Sequence, residues 1–207
     1  MKLNKINKKF VYLISPNKIS NINFYDDLAL VFSSKKISFF QLRLKKETNL
    51  NKLIIGKKIK KICNKYKVKF LINDDPLLAK KLNADGCHLG QKDMDLIKAR
   101  KILKNKIIGV TCHNSINLAK RAIKDGANYL AFGAFYATKT KTVKYRASLT
   151  VLKSIKKITS LPIVAIGGIK FSNYKKLLLN KANFLAISGY IWNNKKYKPL
   201  EAIKKLK

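Results

Sequence analysis

Acidic residues are scarce in this chain: ten Asp and Glu among 207 residues, against 46 Lys and Arg, for a formal charge of +36. Arginine is scarcer still, at positions 43, 100, 121 and 146 only, so 42 of the cations are Lys. That balance argues against a nucleic-acid reader. Clustered cations gain affinity by releasing counterions from phosphate, but the planar fork of Arg is the better reader of phosphates and base edges. The Lys residues are spread along the chain and arrive with many Asn and Ile, a compositional drift that builds a cationic surface without a polyanion partner. A basic nucleic-acid-binding protein stays as the alternative from another class; it would need a contiguous cationic stripe. No specific nucleic acid is expected as a partner.

Three Cys (63, 87 and 112), an odd count with no CxxC pair, exclude a disulfide framework and a structural zinc site. Cys63 and Cys87 read as small core residues. Cys112 and His113 are neighbours on a strand, point to opposite faces and make a poor nucleophile–base couple. No apolar stretch approaches the ~18–20 residues of a membrane span. The apolar run Phe10–Ser15 is ended by Pro16, short of the ~7–15-residue core of a signal peptide. A soluble, cytoplasmic protein with no membrane role is expected.

What is present is an apolar fraction of 47%, enough for one ordinary domain spanning residues 1–207. Short β-branched runs recur: Phe10–Ile14, Ile37–Leu42, Val68–Ile72, Gly86–Leu89, Ile107–Val110, Tyr129–Phe132, Ile163–Ile166 and Phe184–Ile187. Between them lie amphipathic stretches, among them Leu50–Tyr66, Asp93–Leu103, Ser115–Asp125, Leu149–Ile158 and Ser172–Leu179, with Thr48, Asp93, Ser115, Ser148 and Ser172 as candidate caps. Eight strands alternating with helices imply parallel βαβ units, and near-continuous apolar strands imply burial on both faces. The pattern predicts an α/β fold, a single (β/α)8 TIM barrel with short loops. An open doubly wound sheet competes, but nothing follows a G-x-G-x-x-G pattern.

A barrel gathers its active site at the C-terminal strand ends. There, Gln41, Arg43 and Lys45 alternate, so an extended segment places them on one face; the competing reading is a Lys-rich strand end in solvent. Asn73, Asp74 and Asp75 follow the third strand and Asp93 follows the fourth. Carboxylates above adjacent strands, ~5 Å apart, could share a hard cation completed by substrate phosphate oxygens. Helix capping by Asp74 or Asp75, and by Asp93, is the alternative. Thr138-Lys139-Thr140-Lys141 suits a phosphate clasp, and Gly167-Gly168 and Ser188-Gly189 end the strands after which this fold most often holds phosphate. These strand ends offer cation, phosphate and metal functions without a convincing nucleophile or base, as suits a reaction driven by a leaving group.

These segments, together with Ala84-Asp85-Gly86-Cys87-His88-Leu89-Gly90-Gln91-Lys92-Asp93, Gly109-Val110-Thr111, Ala165-Ile166-Gly167-Gly168-Ile169 and Ala186-Ile187-Ser188-Gly189, resemble the thiamine-phosphate synthase family in order and spacing over about residues 37–192. The resemblance implies a transferase that joins a pyrimidine diphosphate to a thiazole phosphate, giving thiamine phosphate and pyrophosphate. It implies that Gln41, Arg43, Lys45 and Asn73 hold the pyrimidine diphosphate, that Lys141 clasps the diphosphate, and that Asp74 and Asp93 ligate Mg²⁺. Among these, Arg43, Lys45 and Lys141 would act in catalysis. Thr111 stands where members commonly have Ser against the pyrimidine. Thr138, Thr140, Gly168 and the Ser188-Gly189 turn would bind the thiazole phosphate, with the register at Ile187-Ser188-Gly189 open by one residue. A homo-oligomer is possible on the same ground. Asp75 stands where many members have Arg, and Ala137 where a Pro is common. A related thiazole-tautomerase barrel needs neither diphosphate nor metal, and the joint presence of Arg43, Asp74, Asp93 and Lys141 speaks against it. His88 is expected to be a hydrogen-bonded core residue; His113 is given no role.

Overall fold

The computed structural model describes residues 9–138 and 144–207. Its strands are β1 (Val11–Ile14), β2 (Ile37–Leu42), β3 (Lys69–Asn73), β4 (Gly86–Leu89), β5 (Ile107–His113), β6 (Tyr129–Phe132), β7 (Ile163–Ile166) and β8 (Phe184–Ile187). Each pairs in parallel with the next and β8 pairs with β1, closing the barrel that the strand–helix alternation predicts. The helices between and after them are α1 (Phe24–Ser33), α2 (Asn49–Tyr66), α3 (Pro76–Lys81), α4 (Leu96–Leu103), α5 (Ile116–Lys124), α6 (Leu149–Lys156), α7 (Tyr174–Leu179), α8 (Gly189–Trp192) and α9 (Pro199–Lys205). No described helix is long and apolar enough to cross a membrane.

Strand periodicity sorts the core into two shells. Tyr12, Ile14, Leu71, Tyr129, Ala131, Val164 and Ala186 pack together inside the barrel with Phe39, Ile107, Ile166 and Phe184. Their sequence neighbours, such as Val11, Leu13, Phe70, Ile72, Leu130 and Leu185, belong to the larger cluster between strands and helices. All three Cys are buried and unpaired, Cys63 and Cys87 as the core residues expected and Cys112 with them. Burial pushes the Cys112 thiol up to about 12.

The helix starts follow local capping chemistry, with two corrections to the sequence reading. Thr48 accepts the Asn51 N–H at 3.2 Å and Ser115 that of Leu118 at 3.2 Å, as expected. However, α4 is capped by Asp95, which accepts the Ile97 and Lys98 N–H groups, and not by Asp93. Both carboxylates suit a cap, but Asp93 is taken by the Gly90 N–H at 2.6 Å. Likewise the N-cap position of α7 is Asn173 rather than Ser172. β5 runs on through Thr111 to His113, carrying both into the sheet across an irregularity in its pairing with β6. Helices α1, α8 and α9 were not named from the sequence; α1 follows Asp26 and Asp27 with an unbroken apolar run, Leu28–Phe32, and has no side-chain cap. For α9, Pro199 at its first turn and the Lys198 N–H to Glu201 Oε2 bond at 3.2 Å are the overlooked signals.

Two positions tie the barrel to its sequence. Gly109 faces Tyr129 across β5 and β6, and a Cβ there would lie 1.8 Å from the ring's Cζ. Gly109→Ala is therefore expected to cost about 3 kcal/mol through overpacking, measured as a lowered denaturation midpoint; an unchanged midpoint refutes the fit. At the other end, Asp85 accepts the Phe70 N–H at 2.9 Å, Lys60 Nζ at 3.0 Å and Lys69 Nζ at 3.2 Å. Burial opposes its charge, but these donors outweigh it and hold the carboxyl below its ordinary value. A depressed carboxyl adds stability above the unfolded value, near pH ~4, and loses it as pH falls through the folded value. Denaturant titrations below that point should show a steeper loss for the wild type than for Asp85→Asn.

Candidate active site

The scarce acids converge at the C-terminal rim. Asn73 is the last residue of β3, one position further into the strand than the sequence suggests, and Asp74 follows it in the left-handed region at φ +65. Few non-glycine residues adopt that conformation without support. Here the support is the Asp74 N–H donating to the His88 carbonyl at 2.8 Å. The turn brings Asp74 close enough to Asp93 for the two carboxyls to shift each other, and sets it 2.9 Å from Lys45 Nζ. Asp75 does not join them: it caps α3, accepting the Leu78 N–H at 2.9 Å. Of the two readings open for these residues, Asp75 is thus the cap, while Asp74 and Asp93 form the pair.

The pair divides its charge unequally. For Asp74, burial works against ionisation, but the bonds from Asp93 and Lys45 prevail and hold it below the ordinary carboxylate value. For Asp93, burial and the neighbouring Asp74 push the carboxyl up, against the Gly90 N–H and Lys45. Two neighbouring carboxyl groups shifted in opposite directions mark a place where negative charge is crowded. Two carboxylates beside a lysine are a donor set that suits a hard cation taking two protein oxygens and completing its shell from substrate and water. Lys45, Asn73 and Asp74 also border a cavity of about 520 Å³ with Lys52, Pro76 and Met94.

Arg43 stands beside this cluster. Its backbone N–H donates to Ser15 Oγ at 2.9 Å and its guanidinium to Asn17 Oδ1 at 2.9 Å. Burial draws the guanidinium below its ordinary value, opposed by Asp74.

Gln41 and Thr111 sit at the two ends of a polar chain inside the barrel. Gln41 Nε2 donates to Tyr12 Oη at 3.0 Å; Tyr12 Oη meets Tyr129 Oη at 2.8 Å. Tyr129 Oη lies 2.8 Å from His88 Nδ1, and His88 Nε2 lies 2.8 Å from Thr111 Oγ1. His88 is a hydrogen-bonded core residue, as expected, but one that reaches a site residue. Burial pushes both phenols up, so both keep their protons. Tyr12 and Tyr129 are functional candidates that the sequence reading missed. The available signal was two hydroxyls at inward positions of a barrel, where a buried polar group must find a partner.

Across the same rim, the loop after β6 is stitched to β7. Phe135 N–H donates to the Ile166 carbonyl and Tyr136 N–H to that of Gly167, both at 3.1 Å. Gly168 adopts φ +62, and a Cβ there would lie 2.2 Å from the Ala137 carbonyl oxygen, immediately before Thr138. Gly168 and Thr138 are therefore neighbours. Thr140 and Lys141 fall outside the described residues. Ser188 Oγ donates to the Ser15 carbonyl at 3.1 Å, and Gly189 opens α8 behind it. His113 packs on Tyr145, ring centroids 4.5 Å apart.

A family model described as thiamine monophosphate synthase matches residues 11–191. A thiamine-phosphate synthase of Pelagibacter ubique is 95% identical to this chain over 207 residues, 100% of both sequences. One from Clostridium acetobutylicum is 42% identical over 163 residues, covering 78% of this chain and 77% of its own. Among solved structures, a thiamine phosphate pyrophosphorylase from Pyrococcus furiosus superposes with a TM-score of 0.82 at 27% identity, covering 98% of this chain and 96% of that one.

The split between cap and pair is testable. Asp75→Ala should cost about 1 kcal/mol of stability, as loss of an N-cap does, and leave turnover at saturating substrate unchanged. A large fall in turnover with an unchanged midpoint would return Asp75 to the site.

Proposed function

The chain belongs to the thiamine monophosphate synthase family and condenses 4-amino-5-hydroxymethyl-2-methylpyrimidine diphosphate with 4-methyl-5-(2-phosphooxyethyl)thiazole; we propose that it does so by drawing off the diphosphate at the Lys45–Asp74–Asp93 cluster. The observation that carries this reading is Lys45 Nζ at 2.9 Å from the Asp74 carboxylate, with Asp93 close enough for the two carboxyls to shift each other. Mg²⁺ bound there would supply charge stabilisation at the departing diphosphate oxygens. Asp74 and Asp93 would hold it, and Arg43 and Lys45 would bind the diphosphate from the β2 side. Lys141 is assigned the same task by its position in the family pattern.

The aminopyrimidine ring is electron-rich and bears the benzyl-like cation left when the C–O bond to diphosphate breaks. The thiazole nitrogen then attacks that carbon with its lone pair, and no proton has to be removed for the bond to form. Absence of an obvious general base among the described rim residues is compatible with that step. The residues' main contribution is placement: Gln41, Asn73 and Thr111 for the pyrimidine, and Thr138, Thr140, Gly168 and the Ser188-Gly189 turn for the thiazole phosphate. Three unpaired thiols agree with a cytoplasmic setting.

Asp74→Asn and Asp93→Asn are each expected to lower kcat by roughly 100-fold or more with the denaturation midpoint retained, since each removes one of two like charges. Chelation should abolish wild-type formation of thiamine phosphate, and added Mg²⁺ should restore it. Wild-type rates from both variants, or activity indifferent to the chelator, would remove the metal from the mechanism.

A further inference from the structure

The polar chain through the barrel has a direction, and that direction reaches the substrate. Gln41 turns Nε2 toward Tyr12, so the amide donates and its Oε1 remains an acceptor. A Tyr12 hydroxyl that accepts from Gln41 keeps its own proton for Tyr129, 2.8 Å away. A Tyr129 hydroxyl that accepts from Tyr12 in turn keeps its proton for His88 Nδ1 at 2.8 Å. A neutral imidazole accepting at Nδ1 carries its proton on Nε2 and donates to Thr111 Oγ1. The Thr111 hydroxyl proton is thereby free to point at a ligand. Reversing the amide reverses every link: Gln41 would offer N–H and Thr111 would become an acceptor. The two ends are coupled, so one pocket cannot offer an acceptor at both.

We propose that Tyr12 and Tyr129 are positioning residues that fix the hydrogen-bond polarity of the pyrimidine pocket, selecting a 4-aminopyrimidine over its 4-oxo counterpart. A 4-amino group is a donor and needs an acceptor; the ring nitrogens are acceptors and need a donor. With the chain running in the direction that the Gln41 donor sets, Gln41 Oε1 supplies the first and the Thr111 hydroxyl the second. A 4-oxo ring places an acceptor where Gln41 offers one, so binding it requires the whole five-residue chain to reverse. The chain is held rigid for this purpose. Tyr12 is 2% exposed and Tyr129 3%, and the His88 ring stacks on Tyr129 with centroids 5.6 Å apart and planes 17° from parallel. Gly109 admits the Tyr129 ring across β5. The inference rests on the assignment of Gln41 and Thr111 to the pyrimidine.

The test compares binding of the 4-amino and 4-oxo pyrimidine diphosphates, with Mg²⁺ and without thiazole phosphate, to the wild type, Tyr12→Phe and Tyr129→Phe. Each variant should keep KM for the thiazole phosphate and lose roughly tenfold of the amino-over-oxo preference, the worth of one directed hydrogen bond. A folded variant that keeps the wild-type preference overturns the proposal, as does an equal loss of affinity for both rings. A measurement that needs no variant is the nitrogen NMR signature of His88 in the wild-type complex with the 4-amino diphosphate: the Nε2–H tautomer is expected, and Nδ1–H overturns the proposal. Gln41→Ala and Thr111→Val separate the two levels. If neither weakens pyrimidine binding, the pocket assignment itself falls; if both do while the Tyr variants change nothing, only the chain does.

Discussion

The closed ring of parallel strands is the constraint from which the rest of the structure follows. Closure means that every second side chain enters a space with no water to spare, so each must be apolar or hydrogen-bonded inside. Phe39, Ile107 and Phe184, early on their strands, meet the demand with rings and branches. Gln41, Tyr12, Tyr129 and His88 meet it with one another. At the rim the demand relaxes, and there the chain places its cations and carboxylates. The site is thus less an addition to the barrel than the end of a gradient in polarity that the pleat imposes.

The barrel itself was legible because short β-branched runs and amphipathic stretches alternate with little ambiguity. What was not legible depended on competition among equivalent groups. Asp93 and Asp95 are equally good caps on paper; the Gly90 N–H decides between them by occupying one. The meeting of Asp74 with Asp93 could be anticipated only as a possibility of adjacent strands, since the left-handed turn at Asp74 has no glycine to announce it. The Tyr12–Tyr129 contact joins residues 117 positions apart, and each tyrosine alone reads as an ordinary strand aromatic. The residues carried over by family pattern fare unevenly: Asp74, Asp93 and Lys45 come together, Gln41 and Thr111 are joined through the core, and Thr140 and Lys141 lie outside the described residues.

With so few acids, the cations have turned to the backbone. Lys36 Nζ bonds the Ile203 carbonyl at 3.4 Å, that of Lys204 at 3.2 Å and that of Leu206 at 2.5 Å, closing the open end of α9. Arg100 reaches the carbonyls of Lys104 and Lys106, both at 2.6 Å, and that of Gly126 at 2.8 Å. Orphan carbonyls at helix ends are natural partners for positive charge. Part of the positive surplus is therefore structural, and the few carboxylates remain available where chemistry calls for them.

The seam between β1 and β8 also sets an order of events. Ser188 Oγ holds the Ser15 carbonyl, and Trp192 Nε1 donates to the Ile14 carbonyl at 2.7 Å. On the ribosome, β1 emerges first and waits for residues 184–192 before its second neighbour exists. The ring beside the rim therefore cannot shut, nor its pocket be sealed, until β8 and α8 have followed β1 out of the exit tunnel.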